Sequence, residues 1–421
     1  MALDIFEKCY EFYANPQFAQ KIGYPVNPRL AQALGVYPYF IPIESSEGTE
    51  VVVDGKRLIM LGSNNYLGLT HDSRVKAAAA DALEKFGTSC TGSRFLNGTL
   101  SLHLQLEDEL ARFTGKESAL VFSTGYQTNL GTISSLIGKD DIVINDQDAH
   151  ASIIDGIRLS PAHIEHKARF FKHNDIEDLE DILRSYPAEQ RKLVIVDGVF
   201  SRGGDIAPLP QIIPLCRKYG ARFMVDDAHS IGVLGLGRGT AFHFDCVDEV
   251  DLVMGTFSKS LASIGGFIAG NKEVIHWIQH MARPFIFSAS LPPANVAAAR
   301  AAMEIIRKEP ERVEKVNRLA RIMRTELQAL NYNTGNSQTP IIPIIIGDQF
   351  KTLQAWDVLF KAGIYTNAAL PPAVPSHLSM LRTSFMATHT EDQLDKVLSV
   401  FKLVKKKLRV ADRPPKEEPL E

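Results

Sequence analysis

Short apolar runs alternate with helical stretches over residues 62–290. The runs are SALVFST (118–124), DIVINDQ (141–147), KLVIVDGVF (192–200), ARFMVDDAH (221–229) and DLVMGTFSK (251–259), and SRVKAAAADALEKF (73–86) typifies the helical stretches. Strands that are apolar throughout and separated by helices predict βα units and a mostly parallel sheet buried on both faces. Upstream, TEVVVDGKRLIML (49–61) places two β-rich runs around Asp54-Gly55 and predicts a type I′ hairpin at the end of a polar, proline-bearing arm. Downstream, 294–330 reads as a long helical tract. PIIPIII and MLRTSF then read as strands, and TLQAWDVLFKAG and 391–408 as helices. The fold class is α/β: an arm and hairpin (1–60), a large domain (61–293) and a smaller α+β domain (294–409), with the chain's beginning as a further contributor to the smaller one. The charged, proline-rich stretch 410–421 is expected to be disordered.

Composition narrows the function classes. With 421 residues, 45% of them hydrophobic and 23% charged, the chain can bury a large core without disulfides or a structural metal. A formal net charge of −3 argues against nucleic acid as a partner. Cys9, Cys90, Cys216 and Cys246 are far apart and form no CxxC pair, so they read as buried thiols in a reducing compartment. The amino-terminal MALDIFEKCYEFY lacks the apolar core of a secretory signal. The longest apolar runs fall well short of the roughly 20 residues of a membrane span. The expected location is cytoplasmic.

In open parallel sheets, ligands bind beyond the carboxyl ends of the strands. The predicted strand ends deliver Gly125, Tyr126 and Gln127; Asp148 and His150; Asp197, Ser201 and Asp205; Asp226, Asp227 and His229; and Thr256, Ser258 and Lys259. Lys259 precedes the small, nearly uncharged SLASIGGFIAG. A lysine desolvated there is primed for Schiff-base chemistry, whereas one at an exposed strand end is merely solvated. The flanking hydroxyls and an aspartate on the neighbouring strand favour the first reading. STGYQTN (123–129) joins a strand to a helix whose free first-turn amides suit an anion, with Gly125 allowing close approach. The plain alternative is an ordinary capped turn. Asp226 suits a protonated ring nitrogen, His229 a ring substituent and His150 the face of a planar cofactor. No HExxH or third-ligand pattern supports a metal. GVLGLGRG (232–239) lacks the acidic residue of a dinucleotide loop and reads as a mobile or tightly turned segment beside His229. A Schiff-base lysine, a carboxylate for a pyridinium nitrogen and a phosphate cup together describe a pyridoxal 5′-phosphate site.

Over about residues 38–408 the chain resembles the α-oxoamine synthases, fold-type I pyridoxal-phosphate enzymes that condense an amino acid with an acyl-CoA. The resemblance is carried by LGSNNYLGL (61–69), GTLSLHLQLEDELARF (98–113), STGYQTNLG (123–131), DAHASIIDG (148–156), DGVFSRGGDIAPL (197–209), VDDAHSIGVLGLGRG (225–239) and GTFSKSLASIGGFIAG (255–270). It implies a seven-stranded, mostly parallel sheet. It assigns Lys259 the cofactor linkage and the substrate α-proton, Asp226 the pyridinium nitrogen, His229 the ring hydroxyl, and His150 the ring face and substrate carboxylate. Gly125 and Tyr126 fall near the cofactor, Thr256 and Ser258 on its phosphate, and Ser201 near the ring. Asn64 matches the asparagine near the acyl carbonyl, and Arg382 the arginine that binds the substrate carboxylate. The family's active site lies at a homodimer interface, and FSASLPP (287–293) matches the strip that reaches the partner's phosphate. Relatives often carry threonine where this chain has Ala289, which leaves Ser288 or Ser290 to replace it.

Stretches 37–70, 87–113 and 371–390 resemble the bacterial branch that joins L-serine to palmitoyl-CoA or another long-chain acyl-CoA. That branch yields 3-ketodihydrosphingosine, CoA and CO2, the first step of sphingolipid synthesis. The alternatives are another acyl-CoA:amino-acid synthase of the aminooxononanoate or glycine acetyltransferase type, an aminotransferase, and a non-catalytic subunit. The basic KLVKKKLRV (402–410) is a solvated helix end or a peripheral membrane contact.

Overall fold

The structure, a computed structural model, describes residues 4–21, 23–24 and 27–408. The chain divides into two compact units. One contains the residues up to Ser63 and those from Leu319 onward; the other spans Asn64–Arg318. The smaller unit is thus built from both ends of the chain. The helical tract expected to open the small domain is split by Pro310 into helices Pro293–Lys308 and Pro310–Ala329, and the first of these lies wholly in the larger unit.

The smaller unit begins with short helices, then the antiparallel strands β1 (Ser45–Glu47), β2 (Glu50–Val53) and β3 (Lys56–Met60). Asp54 and Gly55 turn the β2–β3 hairpin with φ of 49° and 69°, the two positive values that a type I′ turn requires.

In the larger unit seven strands form one sheet: β4 (Ser118–Phe122), β5 (Ile142–Asp146), β6 (Ala168–Phe171), β7 (Lys192–Asp197), β8 (Ala221–Asp226), β9 (Leu252–Thr256) and β10 (Gly266–Gly270). Their order is β4-β10-β9-β8-β7-β5-β6, and only β10 runs antiparallel to its neighbours. Strands β6 and β10 are not evident in the apolar pattern. β6 is short and half exposed, whereas β10 is fully buried but reads GFIAG. A Cβ at Gly270 would lie 2.6 Å from a Leu252 methyl carbon, so close packing has removed the side chains that signal a strand. Apolar cores cover both faces of the sheet, one around Phe171, Phe223 and Ile212, the other around Phe122, Ile133 and Phe285.

A buried ion pair pins the loop before helix Ser101–Thr114. Arg94 donates through Nη1 and Nη2 to the two Glu107 oxygens at 2.8 and 3.0 Å, and Glu107 also accepts from the Val121 amide at 2.9 Å. The loop in turn holds 289–290. Ser93 bridges to Ala289, and the Ser290 amide donates to the Gly92 carbonyl at 2.9 Å.

The smaller unit is completed by β11 (Ile341–Ile345), β12 (Ile364–Tyr365), β13 (Asn367–Ala369) and β14 (Met380–Ser384). β12 extends the hairpin sheet alongside β3, and β11-β14-β13 form an antiparallel sheet. Helices Gln349–Lys361 and Glu391–Leu408 close its core around Trp356, Phe385 and Phe401. The last helix buries Leu394, Val397, Val400, Phe401 and Val404, which leaves Lys402, Lys406 and Lys407 outward. The stretch 410–421 lies outside the described residues. Cys216 and Cys246 are buried and Cys90 is half-buried, but Cys9 is exposed on helix Glu7–Ala14, contrary to the expected burial. That helix buries none of its own residues, so it has no core in which to place a thiol.

Candidate active site

The carboxyl ends of β4, β9, β8, β7 and β5 converge within the larger unit. Beyond β4, Thr124 caps helix Gly125–Leu136 by accepting the Gln127 amide at 3.1 Å. The Thr128 amide goes to the Thr124 carbonyl. This leaves the amides of Gly125 and Tyr126 at the positive end of the helix. Thr256 Oγ1, at the end of β9, lies 2.9 Å from Ser258 Oγ and donates to the Gly265 carbonyl at 2.9 Å. Two glycines keep this cup open. A Cβ on Gly125 would lie 2.7 Å from Thr256 Oγ1, and one on Gly266 would lie 2.6 Å from the Gly125 Cα. Ser288 closes one side by accepting from Gln127 Nε2 at 3.0 Å within the same chain. Ser290 is buried and hydrogen-bonded to Gly92, so of the two serines only Ser288 stands at the cup. The Tyr126 hydroxyl is bonded to Asp155, which leaves its backbone amide as the group directed to the cup.

The aspartates Asp226, Asp197 and Asp146 end three adjacent strands and are all buried. Asp226 accepts from the Ala228 amide at 3.0 Å and from Asn129 Nδ2 at 2.7 Å. Asn129 Nδ2 also reaches Ser152 Oγ at 2.8 Å, and Ser152 Oγ lies 2.7 Å from His150 Nδ1. His150 caps helix Ala151–Arg158 and presents its other edge to solvent. Desolvation among the packed groups, reinforced by the Lys259 charge, holds this imidazole below its ordinary pKa against the opposing pull of Asp226. The ring is within electrostatic reach of both Lys259 and Asp226. Asp227 does different work. It accepts from the amide and hydroxyl of Thr240 at 2.9 and 2.6 Å and so anchors the 232–239 segment. That segment is tightly turned, with the Gly232 amide bonded to the Gly237 carbonyl at 2.9 Å. His229 Nδ1 lies 2.7 Å from the hydroxyl of the fully buried Tyr66, which is 3.3 Å from Asn64 Oδ1. Lys259 is half-buried in the turn between β9 and β10.

The model of the class I and II aminotransferases matches residues 56–401. The chain belongs to this family. A serine palmitoyltransferase from Sphingobacterium spiritivorum is 49% identical over 87% of the chain and 92% of its own length. An 8-amino-7-oxononanoate synthase from Thermoanaerobacter pseudethanolicus is 42% identical over 89% and 95%. Among solved structures, a serine palmitoyltransferase variant from S. paucimobilis with a bound PLP–myriocin aldimine superposes with a TM-score of 0.90 at 38% identity, covering 97% of this chain and all of that one. Both curated relatives are α-oxoamine synthases, so the chain is a member of that branch, with the fold-type I architecture and a pyridoxal 5′-phosphate requirement.

The residues present suit that cofactor. An α-oxoamine synthase needs a cup of neutral donors for a phosphate and a buried carboxylate for a ring nitrogen. The two amides, two hydroxyls and two facing glycines provide the first, and Asp226 the second. Ser201 lies in the loop after β7, and Arg382 lies on β14 in the smaller unit, where its Nη1 donates to Ser384 Oγ at 2.9 Å. The sequence pattern did not single out Asn129, Ser152, Tyr66 or His173. The first three are ordinary-looking polar positions within motifs already quoted; only their contacts reveal them. His173 follows β6, the strand that the pattern missed. Its Nδ1 lies 3.1 Å from Asp146 and its Nε2 2.7 Å from Asp205, with the ring edge-on to Phe200. Burial alone would lower its pKa, but the two carboxylate hydrogen bonds and their charges raise it to about 10. This imidazolium ties the loop carrying Ser201 to β5.

Two outcomes are expected. Lys259→Ala should abolish the yellow cofactor absorbance while circular dichroism stays unchanged; persisting colour would place the linkage on another lysine. The His173 contribution to stability is complete below its ordinary pKa of 6.5 and is lost as pH rises through about 10. Thermal unfolding scans should therefore show stability falling across that window, with His173→Gln less stable at its lower end and flatter throughout. A wild-type slope retained in the variant would assign the effect elsewhere.

Proposed function

We infer that the protein condenses L-serine with palmitoyl-CoA or a similar long-chain acyl-CoA, releasing CoA and CO2, as an acyltransferase at the entry to sphingolipid synthesis. The observation that carries this reading is the 49% identity to a serine palmitoyltransferase along nearly the whole chain, above the 42% to an aminooxononanoate synthase. The site supports the chemistry. When bound, pyridoxal 5′-phosphate supplies a conjugated, protonated ring that takes up the electron pair left at the substrate α-carbon. The Asp226 carboxylate holds the proton on the ring nitrogen. Lys259 Nζ takes the substrate α-proton. His150, neutral because its pKa is depressed, covers the ring face and orients the substrate carboxylate. His229, steadied by Tyr66, faces the ring hydroxyl, and Asn64 the acyl carbonyl. Attack of the α-carbon on the thioester carbonyl expels the CoA thiolate, and loss of the carboxylate gives the amino ketone. Arg382 is proposed for the substrate carboxylate because its planar fork matches two oxygens at once.

A homodimer with shared active sites is part of this proposal. It is supported by the exposed Phe287, 71% accessible, in the strip beside the cup. Cytoplasmic residence with peripheral contact at the inner membrane face is also proposed. Among the described residues no helix is long and apolar enough to cross a membrane, and the outward lysines of helix Glu391–Leu408 suit anionic headgroups.

Release of CoA thiol by the cofactor-loaded protein tests the reaction. With L-serine, L-alanine and glycine paired against palmitoyl-, pimeloyl-, acetyl- and succinyl-CoA, release should be confined to serine with the long chain. Release with another pair alone would overturn the substrate assignment, and release with none would overturn the reaction. The protein should float with phosphatidylserine-containing liposomes and lose that property in high salt; no flotation would remove the membrane contact.

A further inference from the structure

Asp226 and Asp197 pair in register at the ends of β8 and β7 and are 4% and 3% exposed. Two carboxylates so close in a dry environment do not both carry charge cheaply. Their sequence positions are equivalent, each the last residue of a parallel strand, so the strands do not decide between them. The hydrogen bonds do. Asp226 accepts one donor on each oxygen, the Ala228 amide at 3.0 Å and Asn129 Nδ2 at 2.7 Å. Asp197 accepts the His150 amide at 3.3 Å, and no second donor reaches its side chain among the described residues. Donors favour the ionised form of the group they reach.

Asn129 is completely buried. Its Nδ2 serves Asp226 and Ser152 together, while its Oδ1 has no hydrogen-bond partner among the described residues. Leaving a buried carbonyl unpartnered is costly. Rotating the amide would not relieve it, because the carbonyl would then face the Asp226 carboxylate. Gly156 lets helix Ala151–Arg158 sit close to the backbone here, since a Cβ would lie 3.0 Å from the Asn129 backbone carbonyl oxygen. The side-chain amide is oriented by its two acceptors, Asp226 and Ser152 Oγ.

We propose that Asn129 is a positioning residue that directs the negative charge of this strand-end pair to Asp226, so that Asp226 and not Asp197 meets the cofactor ring as an anion. Burial and the Asp226 charge act in the same sense, pushing Asp197 well above the ordinary carboxyl range. Asp146, His150 and Lys259 are the other ionisable groups that act on the pair. The consequence for the ring rests on the proposed cofactor site. The charge assignment itself belongs to the protein alone.

Infrared difference spectra of the cofactor-free protein test it, recorded well above the Asp227 pKa of about 6 so that this neighbour is ionised. A protonated buried carboxyl has a carbonyl stretch separate from that of carboxylates. Asp197→Glu should shift this band and Asp226→Glu should leave it in place, because both variants keep an acid at each position of the pair. In an Asn129→Leu background the band should respond to Asp226→Glu instead. A band that shifts with Asp226→Glu and not with Asp197→Glu in protein that retains Asn129 would overturn the proposal, as would the absence of any such band. These two variants decide the matter even if Asn129→Leu fails to fold. Pyridoxal 5′-phosphate affinity provides the second readout. Asn129→Leu should weaken it about tenfold to a hundredfold, the range for losing a hydrogen bond to a charged group. Ser152→Ala, which leaves both Asp226 donors in place, should weaken it less than Asn129→Leu does. Equal affinity in Asn129→Leu and wild type would overturn the proposal. If the wild type itself bound no cofactor, the function reading would fail while the infrared assignment stood on its own.

Discussion

Carboxylates buried at strand ends impose the central constraint of the larger unit. Parallel strands packed on both faces leave their carboxyl ends as the one place where polar groups gather, and here β5, β7 and β8 each end in aspartate. A buried carboxylate demands donors. Asp146 recruits His173, the Asp148 amide and the Asn174 amide. Asp226 recruits Asn129 and the Ala228 amide, and the adjacent Asp227 anchors Thr240. The partners come from several separate loops and helices. Satisfying the aspartates therefore fixes in space the segments that carry His150, Ser201 and His229.

The cup works on the opposite principle. It gathers amides and hydroxyls, and its polarity comes from a helix end. Its shape comes from backbone contact between β10 and the start of helix Gly125–Leu136, which an antiparallel strand inserted between β4 and β9 makes possible. The strip at 287–290 is held to the same place by the loop that the Arg94–Glu107 pair secures. An ion pair of this kind adds little net stability; what it does here is tie the loop to helix Ser101–Thr114 through Arg94 and Glu107.

Much of this was legible in the amino-acid pattern. Continuous apolar runs gave five of the seven sheet strands because a strand buried on both faces has no polar alternation to confuse the reading. Helix Ser73–Phe86 and the Asp54-Gly55 hairpin were read from local chemistry alone. Strand-end position then brought Lys259, Asp226, His229, His150, Thr256 and Ser258 into one list. β10 escaped because glycine, required for contact, carries no strand signal. Asn129, Ser152 and Tyr66 escaped because their importance lies in what they touch: one amide between two oxygens, one hydroxyl against an imidazole. The split of the 294–330 tract escaped because proline at a first helical position looks like continuation as easily as interruption.

The contact between Gly125 and Gly266 has a consequence for how such a chain changes over generations. A Cβ at Gly266 would strike the backbone of Gly125, and one at Gly125 would strike Thr256, so neither position accepts even a methyl group while its surroundings stay in place. The hydroxyls of Thr256, Ser258 and Ser288 reach the cup on side chains and carry no such backbone clash. A pocket built this way can be reshaped through its side chains while the two glycines stay fixed.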